Sequence, residues 1–443
     1  MKAGLPDRMR EFVRRLWNSR TVENTFWVGA SSAMGALLGA VSTAFYARIL
    51  GVGEYGVLML IISIVTMMVA LADLGIGGSI VRFGAEMLAR EDAAGYRAVL
   101  NVALRAKLVL SALVLMGAVL LLNPIVGMVF KHVDSAITSY FLLSLAAAGL
   151  GMLAAYFPPV YQSRRWFRTL AAVAVSGPAL KVAVLAVVTY TVSAITVGNA
   201  VWIEIAAAAG LLCVSFLSAP KNTVVFTRMD RSLSRRMLSF NKWLSLYYII
   251  NLVGGRMDLF FVGGLADATA LGIYGAASKI ASIVVIVTNS YLTVLLPELS
   301  AAITPEEIRK KQRNAILIVG LFSLGIAALA LLADVAVAVV FGPKFAAAAM
   351  MIRVMCVGLV FTVASYPINA TLFAWNRSEV FPIMSVAGIA ALIGGNAYFI
   401  PRMGAAGAAV AFSLSCTVGF CMSSVIYFHH VKTRLHASDA GSR

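Results

Sequence analysis

Twelve apolar runs of roughly membrane-spanning length recur along the chain, near 24–48, 55–77, 99–122, 138–161, 169–190, 198–219, 243–265, 270–297, 314–333, 346–372, 379–400 and 405–428. A helix of about 20 residues rises about 30 Å, the thickness of the hydrocarbon core of a bilayer. Within lipid every backbone polar group must find its partner inside its own segment, so such runs fold as helices. The expectation is an all-α polytopic membrane protein with twelve transmembrane helices. Composition agrees, since 61% of the 443 residues are hydrophobic and 12% charged, where a soluble domain carries about 25% charged residues.

The net charge of +17 is distributed as membrane topology requires. Of the lysines and arginines, 28 lie before the first run, in alternate connections with the adjoining ends of runs (five of them in 82–107), or in the tail, while the other side holds three, Lys131, Lys344 and Arg402. This asymmetry places both termini and the 220–242 linker of a multi-pass membrane protein in the cytoplasm. It accounts for the positive charge without nucleic acid as a partner. Residues 5–20 set Leu5, Met9, Phe12, Val13, Leu16 and Trp17 on one helical face with arginines around the remainder. That segment either lies along the inner membrane surface or is a solvated start. The run at 24–47 is too long for a signal-peptide core and is retained as the first helix. The expected organisation is a cytoplasmic amphipathic segment at 1–23, a first lobe at 24–219, a basic linker at 220–242, a second lobe at 243–428 and a tail at 429–443.

The two lobes repeat one another. Tyr55-Gly56 recurs as Tyr274-Gly275 and Val129-Phe130 as Val340-Phe341, while Pro158, Trp166 and Arg168 recur at one offset as Pro367, Trp375 and Arg377. Six spans per lobe is even, so both lobes enter the membrane from the same side. A parallel repeat about an axis along the membrane normal follows, with two six-helix bundles around a central cavity.

Charges inside the runs carry the functional expectation, because an ionised side chain at membrane depth is kept where it faces protein or water. Arg256 and Asp258 stand two residues apart in the run 243–265, a spacing at which helical side chains do not face each other. Arg48, Lys181, Lys279 and Arg353 complete the basic set, and Asp73 and Glu204 the acidic one. Lys181, Arg256 and Lys279 fall roughly 13 Å from the outer ends of their helices, and Arg353 roughly 10 Å. If every acid pairs with a base, at least two positive charges remain, a balance that suits a phosphate or pyrophosphate. Arg256, Lys279, Arg353 and Arg48 are therefore the candidate substrate-binding residues. Asp258, Asp73 and Glu204 are candidates for binding a coupling ion. In the plainer alternative Arg48 and Arg353 snorkel outward and Lys181 pairs structurally with Glu204.

Other motifs carry no chemistry. Gly51-Val-Gly53-Glu-Tyr-Gly56 matches the dinucleotide fingerprint, but no strand precedes it, so it reads as a tight outer turn. Gly35 and Gly39, Gly404 and Ala408, and Gly407 and Ala411 form small-residue pairs suited to close helix packing. Pro178, Pro367 and Pro382 are candidate kinks. His429, His430 and His436 are too few to define a metal site, and Cys213, Cys356, Cys416 and Cys421 lie inside apolar runs without ligand spacing. No zinc-protease, nucleophile-elbow or Walker motif is present, so neither an enzyme nor an ATP-driven pump is expected.

The sequence Ala47-Arg48-Ile-Leu-Gly51-Val-Gly-Glu-Tyr55-Gly56 with Asn24 and Ala72-Asp73-Leu-Gly75-Ile-Gly77 resembles the polysaccharide transporter family, the Wzx-type flippases. So does Arg256-Met-Asp258-Leu-Phe-Phe-Val-Gly-Gly264 with Leu271-Gly272-Ile-Tyr274-Gly-Ala-Ala-Ser-Lys279 and Leu296-Pro297-Glu-Leu-Ser300. The resemblance implies the fold of the multidrug, oligosaccharidyl-lipid and polysaccharide exporter superfamily. It further implies movement of undecaprenyl-pyrophosphate-linked oligosaccharide from the cytoplasmic to the periplasmic leaflet, for O-antigen, capsule or exopolysaccharide synthesis. Expected partners are that lipid-linked glycan, membrane lipids, and the polymerase and chain-length proteins of the same pathway. No bound cofactor is expected, the energy coming from a proton or sodium gradient or the membrane potential. Two rivals are an ion-coupled multidrug exporter of the same superfamily and a membrane glycan polymerase or ligase.

Overall fold

The computed structural model describes residues 20–129, 135–192, 195–224, 226, 231–300, 305–374 and 380–440. Much of the amphipathic N-terminal segment, together with Lys131, Trp375 and Arg377, lies outside them. The helices in chain order are α1 (Arg20–Leu50), α2 (Val52–Leu71), α3 (Ile76–Ala89), α4 (Ala93–Val129), α5 (Ser135–Ala154), α6 (Phe157–Ser163), α7 (Phe167–Thr191) and α8 (Val197–Leu217). After the linker come α9 (Arg231–Gly254), α10 (Met257–Leu265), α11 (Ala268–Ser300), α12 (Pro305–Leu331), α13 (Ala333–Val340), α14 (Ala348–Ala374), α15 (Val380–Met403) and α16 (Ala405–Ala440).

Among the described residues ten helical segments are long and apolar enough to cross a membrane, and the pair α12 and α13, bent by 68°, gives an eleventh. The remaining expected run, 243–265, is divided between α9 and α10. The protein is thus an all-helical, multi-pass membrane protein whose spans are less regular than the apolar runs suggest. α2 and α3 form one span interrupted at residues 72–75, where Leu74 (φ 39) and Gly75 (φ 81) leave the helical region. Ser245 Oγ on α9 donates to the Leu74 carbonyl at 2.5 Å, satisfying a backbone group that the interruption frees.

The chain divides into two compact units, one of residues 1–43, 64–122 and 139–248, the other of 44–63, 123–138 and 249–443. The first unit therefore keeps the linker and most of α9, and the second takes the ends of α1 and α2 around the Gly51 turn. The core of the first unit gathers Ile80 and Phe83 of α3, Tyr96, Val99 and Leu100 of α4, Val160 and Tyr161 of α6, and Leu233 and Met237 of α9. Tyr161 Oη donates to the Ser215 carbonyl at 2.6 Å, so the buried phenol is satisfied.

In the second unit α16 packs against both α14 and α15, and α11 lies against α14. Gly51 has φ +81 and joins two membrane helices, which makes the glycine-rich stretch a turn as expected. Gly56 meets α11 backbone to backbone, since a Cβ there would stand 2.3 Å from the Ala268 carbonyl oxygen, and one at Gly272 would stand 2.0 Å from that of Val52. The small-residue pairs divide. Gly407 presses on the Phe399 carbonyl and Ala411 on Gly395, whereas a Cβ at Gly35, Gly39 or Gly404 would meet nothing within 4 Å. Gly404 instead serves a positive φ of 60° between α15 and α16. Pro178 and Pro367 lie inside α7 and α14. Pro382 occupies the first turn of α15, where its missing N–H costs no helical bond.

Candidate functional site

The seventh span breaks where two glycines precede a charge. Gly254-Gly255 is a weak helix-forming pair, and Arg256 follows with φ −128 and ψ −5, outside the helical region, before α10 restarts at Met257. Asp258 then falls in the first turn of α10, where free N–H groups and the helix dipole favour a carboxylate. It accepts the Leu259 N–H at 2.9 Å and the Tyr274 hydroxyl of α11 at 2.5 Å. Tyr274 is fully buried. The half-buried Arg256 is close enough to act on the Asp258 charge. It has no hydrogen bond or ion pair among the described residues, because Asp258 is turned to Tyr274. Lys279 follows on α11, half-buried.

Arg48 and Arg353 meet the same short helix from its two ends. Arg48 donates to the carbonyls of Val339 and, at 3.2 Å, Val340, the last turn of α13, where a cation complements the helix dipole. Arg353 pairs with Asp334 in the first turn of α13 and donates to the Ala330 carbonyl at 3.3 Å. Asp334 lies just beyond the apolar run 314–333 and so escapes a count of acids within runs. Both arginines are thereby engaged with α13.

In the first unit both candidate acids hold lysines. Glu204 on α8 pairs with Lys181 on α7 at 2.6 Å, both side chains being largely buried. Asp73, at the α2–α3 interruption, pairs with Lys107 on α4 at 2.9 Å, and the lysine side chain is 1% exposed. The seven expected site residues therefore fall into separate arrangements: Arg256 with Asp258 at one break, Lys279 further along on α11, Arg48 with Arg353 on α13, and, within the first unit, Asp73 and Glu204 each on a lysine. Among the described residues no cluster of His, Cys, Asp and Glu is fit to hold a metal ion.

Lys107, Tyr274 and Asp334 are the residues that sequence reasoning missed. Lys107 sits near the inner end of the apolar run 99–122, where it counts with the basic residues of 82–107. A signal was nonetheless present: Leu100, Ala103, Lys107 and Ser111 follow helical spacing, and all four are buried. Tyr274 entered only as a repeat marker, its phenol concealed among apolar neighbours.

The sequence profile described as polysaccharide biosynthesis protein matches residues 21–303. The chain belongs to that family. No curated protein sequence matches it. Among solved structures it is similar to an inward-facing multidrug resistance MATE family transporter of the MOP superfamily, with TM-score 0.78 and 14% identity over 90% of this chain and 95% of that one. It is also similar to the lipid II flippase MurJ in an inward closed conformation, with TM-score 0.72 and 11% identity over 89% and 86%. A Vibrio cholerae MATE transporter gives TM-score 0.64 at 14% identity over 93% and 97%. At these identities the likeness concerns the fold alone, which this chain shares with those transporters.

Proposed function

We propose that this member of the polysaccharide biosynthesis family is a flippase for undecaprenyl-pyrophosphate-linked oligosaccharide, carrying it from the cytoplasmic to the periplasmic leaflet of a bacterial inner membrane by alternating access. The observation that carries the proposal is Arg256. It stands at a break in a membrane span, where unwound backbone and helix ends commonly hold substrate in transporters, and its nearest carboxylate is engaged with Tyr274. A guanidinium so placed offers a planar fork to the oxygens of a pyrophosphate. Lys279, on the next span, is the second cation of this site.

Arg48 and Arg353 act through α13, holding both of its ends. Asp258, with Asp73 and Glu204, is a carboxylate through which a proton or sodium gradient couples to the cycle. The lobes at 24–219 and 243–428, with both termini cytoplasmic, supply the two alternating bodies. The test is complementation of a deletion strain. Wild-type protein restores surface glycan, whereas Arg256→Ala at equal protein level leaves lipid-linked units on the inner leaflet. Undiminished glycan display by that variant removes the proposal's foundation, and drug resistance on overexpression with normal glycan in the deletion strain favours a multidrug exporter.

A further inference from the structure

The first unit carries a basic cavity that the transport reading does not use. It has a volume of about 630 Å³ and is lined by Arg82 and Phe83 of α3 and Ser232, Arg235, Arg236 and Ser239 of α9. The four α9 residues follow the spacing i, i+3, i+4, i+7, one face of a helix. Leu233 and Met237, on another face, anchor this part of α9 in the core beside Phe83, so the cavity is fixed to the unit. Phe83 is the floor on which two guanidiniums rest, Arg236 at 5.3 Å and Arg82 at 5.7 Å from the ring centroid. Such contacts hold a guanidinium beside the ring. Glu86 meets Arg236 at 3.7 Å but is also held by Arg90 at 2.9 Å, so one carboxylate is shared between two guanidiniums.

Three arginines and two serine hydroxyls line one open hollow, and such groups recognise phosphate oxygens. Its position supplies the source. α3 and α9 emerge here from apolar spans, on the side that the lysine and arginine asymmetry makes cytoplasmic, and Leu238 beside the cavity is 63% exposed. Basic pockets of this kind at the cytoplasmic ends of spans suit anionic lipid headgroups. We infer that the cavity between α3 and α9 binds the phosphodiester headgroup of an anionic phospholipid of the cytoplasmic leaflet, an inference that rests on the orientation given under the proposed function.

Full-length protein in detergent is titrated with dioctanoyl phosphatidylglycerol and, separately, dioctanoyl phosphatidylcholine, and bound lipid is counted by native mass spectrometry. The wild type is expected to prefer phosphatidylglycerol by on the order of tenfold, and Arg235→Gln with Arg236→Gln to erase the preference. Because Arg236 also holds Glu86, the single variant Arg235→Gln, at an exposed position, keeps the test open if the double variant fails to fold, and it is expected to reduce the preference severalfold. Equal binding of the two lipids by the wild type, or a preference that survives these substitutions, overturns the inference. So does binding of inorganic pyrophosphate with the same arginine dependence where phosphatidylglycerol does not bind, since the site then takes a free phosphate. The measurement uses neither glycan nor translocation, so its failure is distinct from failure of the flippase reading.

Discussion

Lys107 and Asp73 meet at 2.9 Å beside an interrupted membrane helix, with the lysine side chain 1% exposed and the aspartate partly open. The geometry makes the lysine dependent on the aspartate, because a buried ammonium that loses its counter-charge keeps its desolvation cost. Asp73→Asn is expected to destabilise the protein by about 3–5 kcal/mol, whereas Asp73→Asn combined with Lys107→Met recovers most of that loss. Thermal melting of the two single variants and the double variant in detergent measures the coupling. Additive losses would mean that the pair contributes no mutual stabilisation.

Tyr274 and Asp258 form a further buried polar contact between neighbouring helices. Tyr274→Phe removes a hydrogen bond to a carboxylate and is expected to cost about 1.5–3 kcal/mol. It also frees Asp258 to turn to Arg256, so glycan display at equal protein level is expected to fall by about tenfold if that shift weakens Arg256 by about 1.4 kcal/mol. A stability loss with unchanged glycan display would restrict Tyr274 to a structural part.

The two ends of α13 give a prediction that separates support from direct binding. Arg353→Ala leaves Asp334 without its partner, but both side chains are well exposed, and exposed pairs contribute only about 0–1 kcal/mol. A small change in melting temperature with glycan display largely retained is therefore expected. Loss of display comparable to that of Arg256→Ala, at normal stability, would show that Arg353 touches substrate.

Glycines at contacts and glycines in open space are expected to respond oppositely to alanine. Gly272→Ala drives a Cβ to 2.0 Å from the Val52 carbonyl oxygen, an overlap that costs about 1–3 kcal/mol or more. Gly35→Ala meets nothing within 4 Å and gains up to about 1 kcal/mol of helix propensity. Melting temperatures of the two variants check both signs.

The membrane class and the Gly51 turn were legible because run length, charge asymmetry and glycine punctuation are local signals. The partners of the charges were not. Asp334 lies one residue past an apolar run, and its pairing with Arg353 depends on the bend at Leu332, which periodicity does not encode. The interruption at residues 72–75 is written in Asp73 and Gly75, yet the surrounding residues are apolar enough to read as one span. Lys181 with Glu204 was foreseen as an alternative, since both lie within uncharged runs and each needs a partner. Gly35 and Gly39 have the spacing of a packing motif, but spacing alone does not say whether another helix lies opposite.

The backbone contact at Gly56 and Gly272 has a mechanical consequence. Where Gly56 and Gly272 meet, main chain lies on main chain, with the Val52 and Met59 side chains beside it, so few side chains between α2 and α11 need to move for the two helices to part at that point. Friction there is low and the fit is lost abruptly. A single added methyl group would act as a wedge, and a pair of introduced cysteines as a bolt.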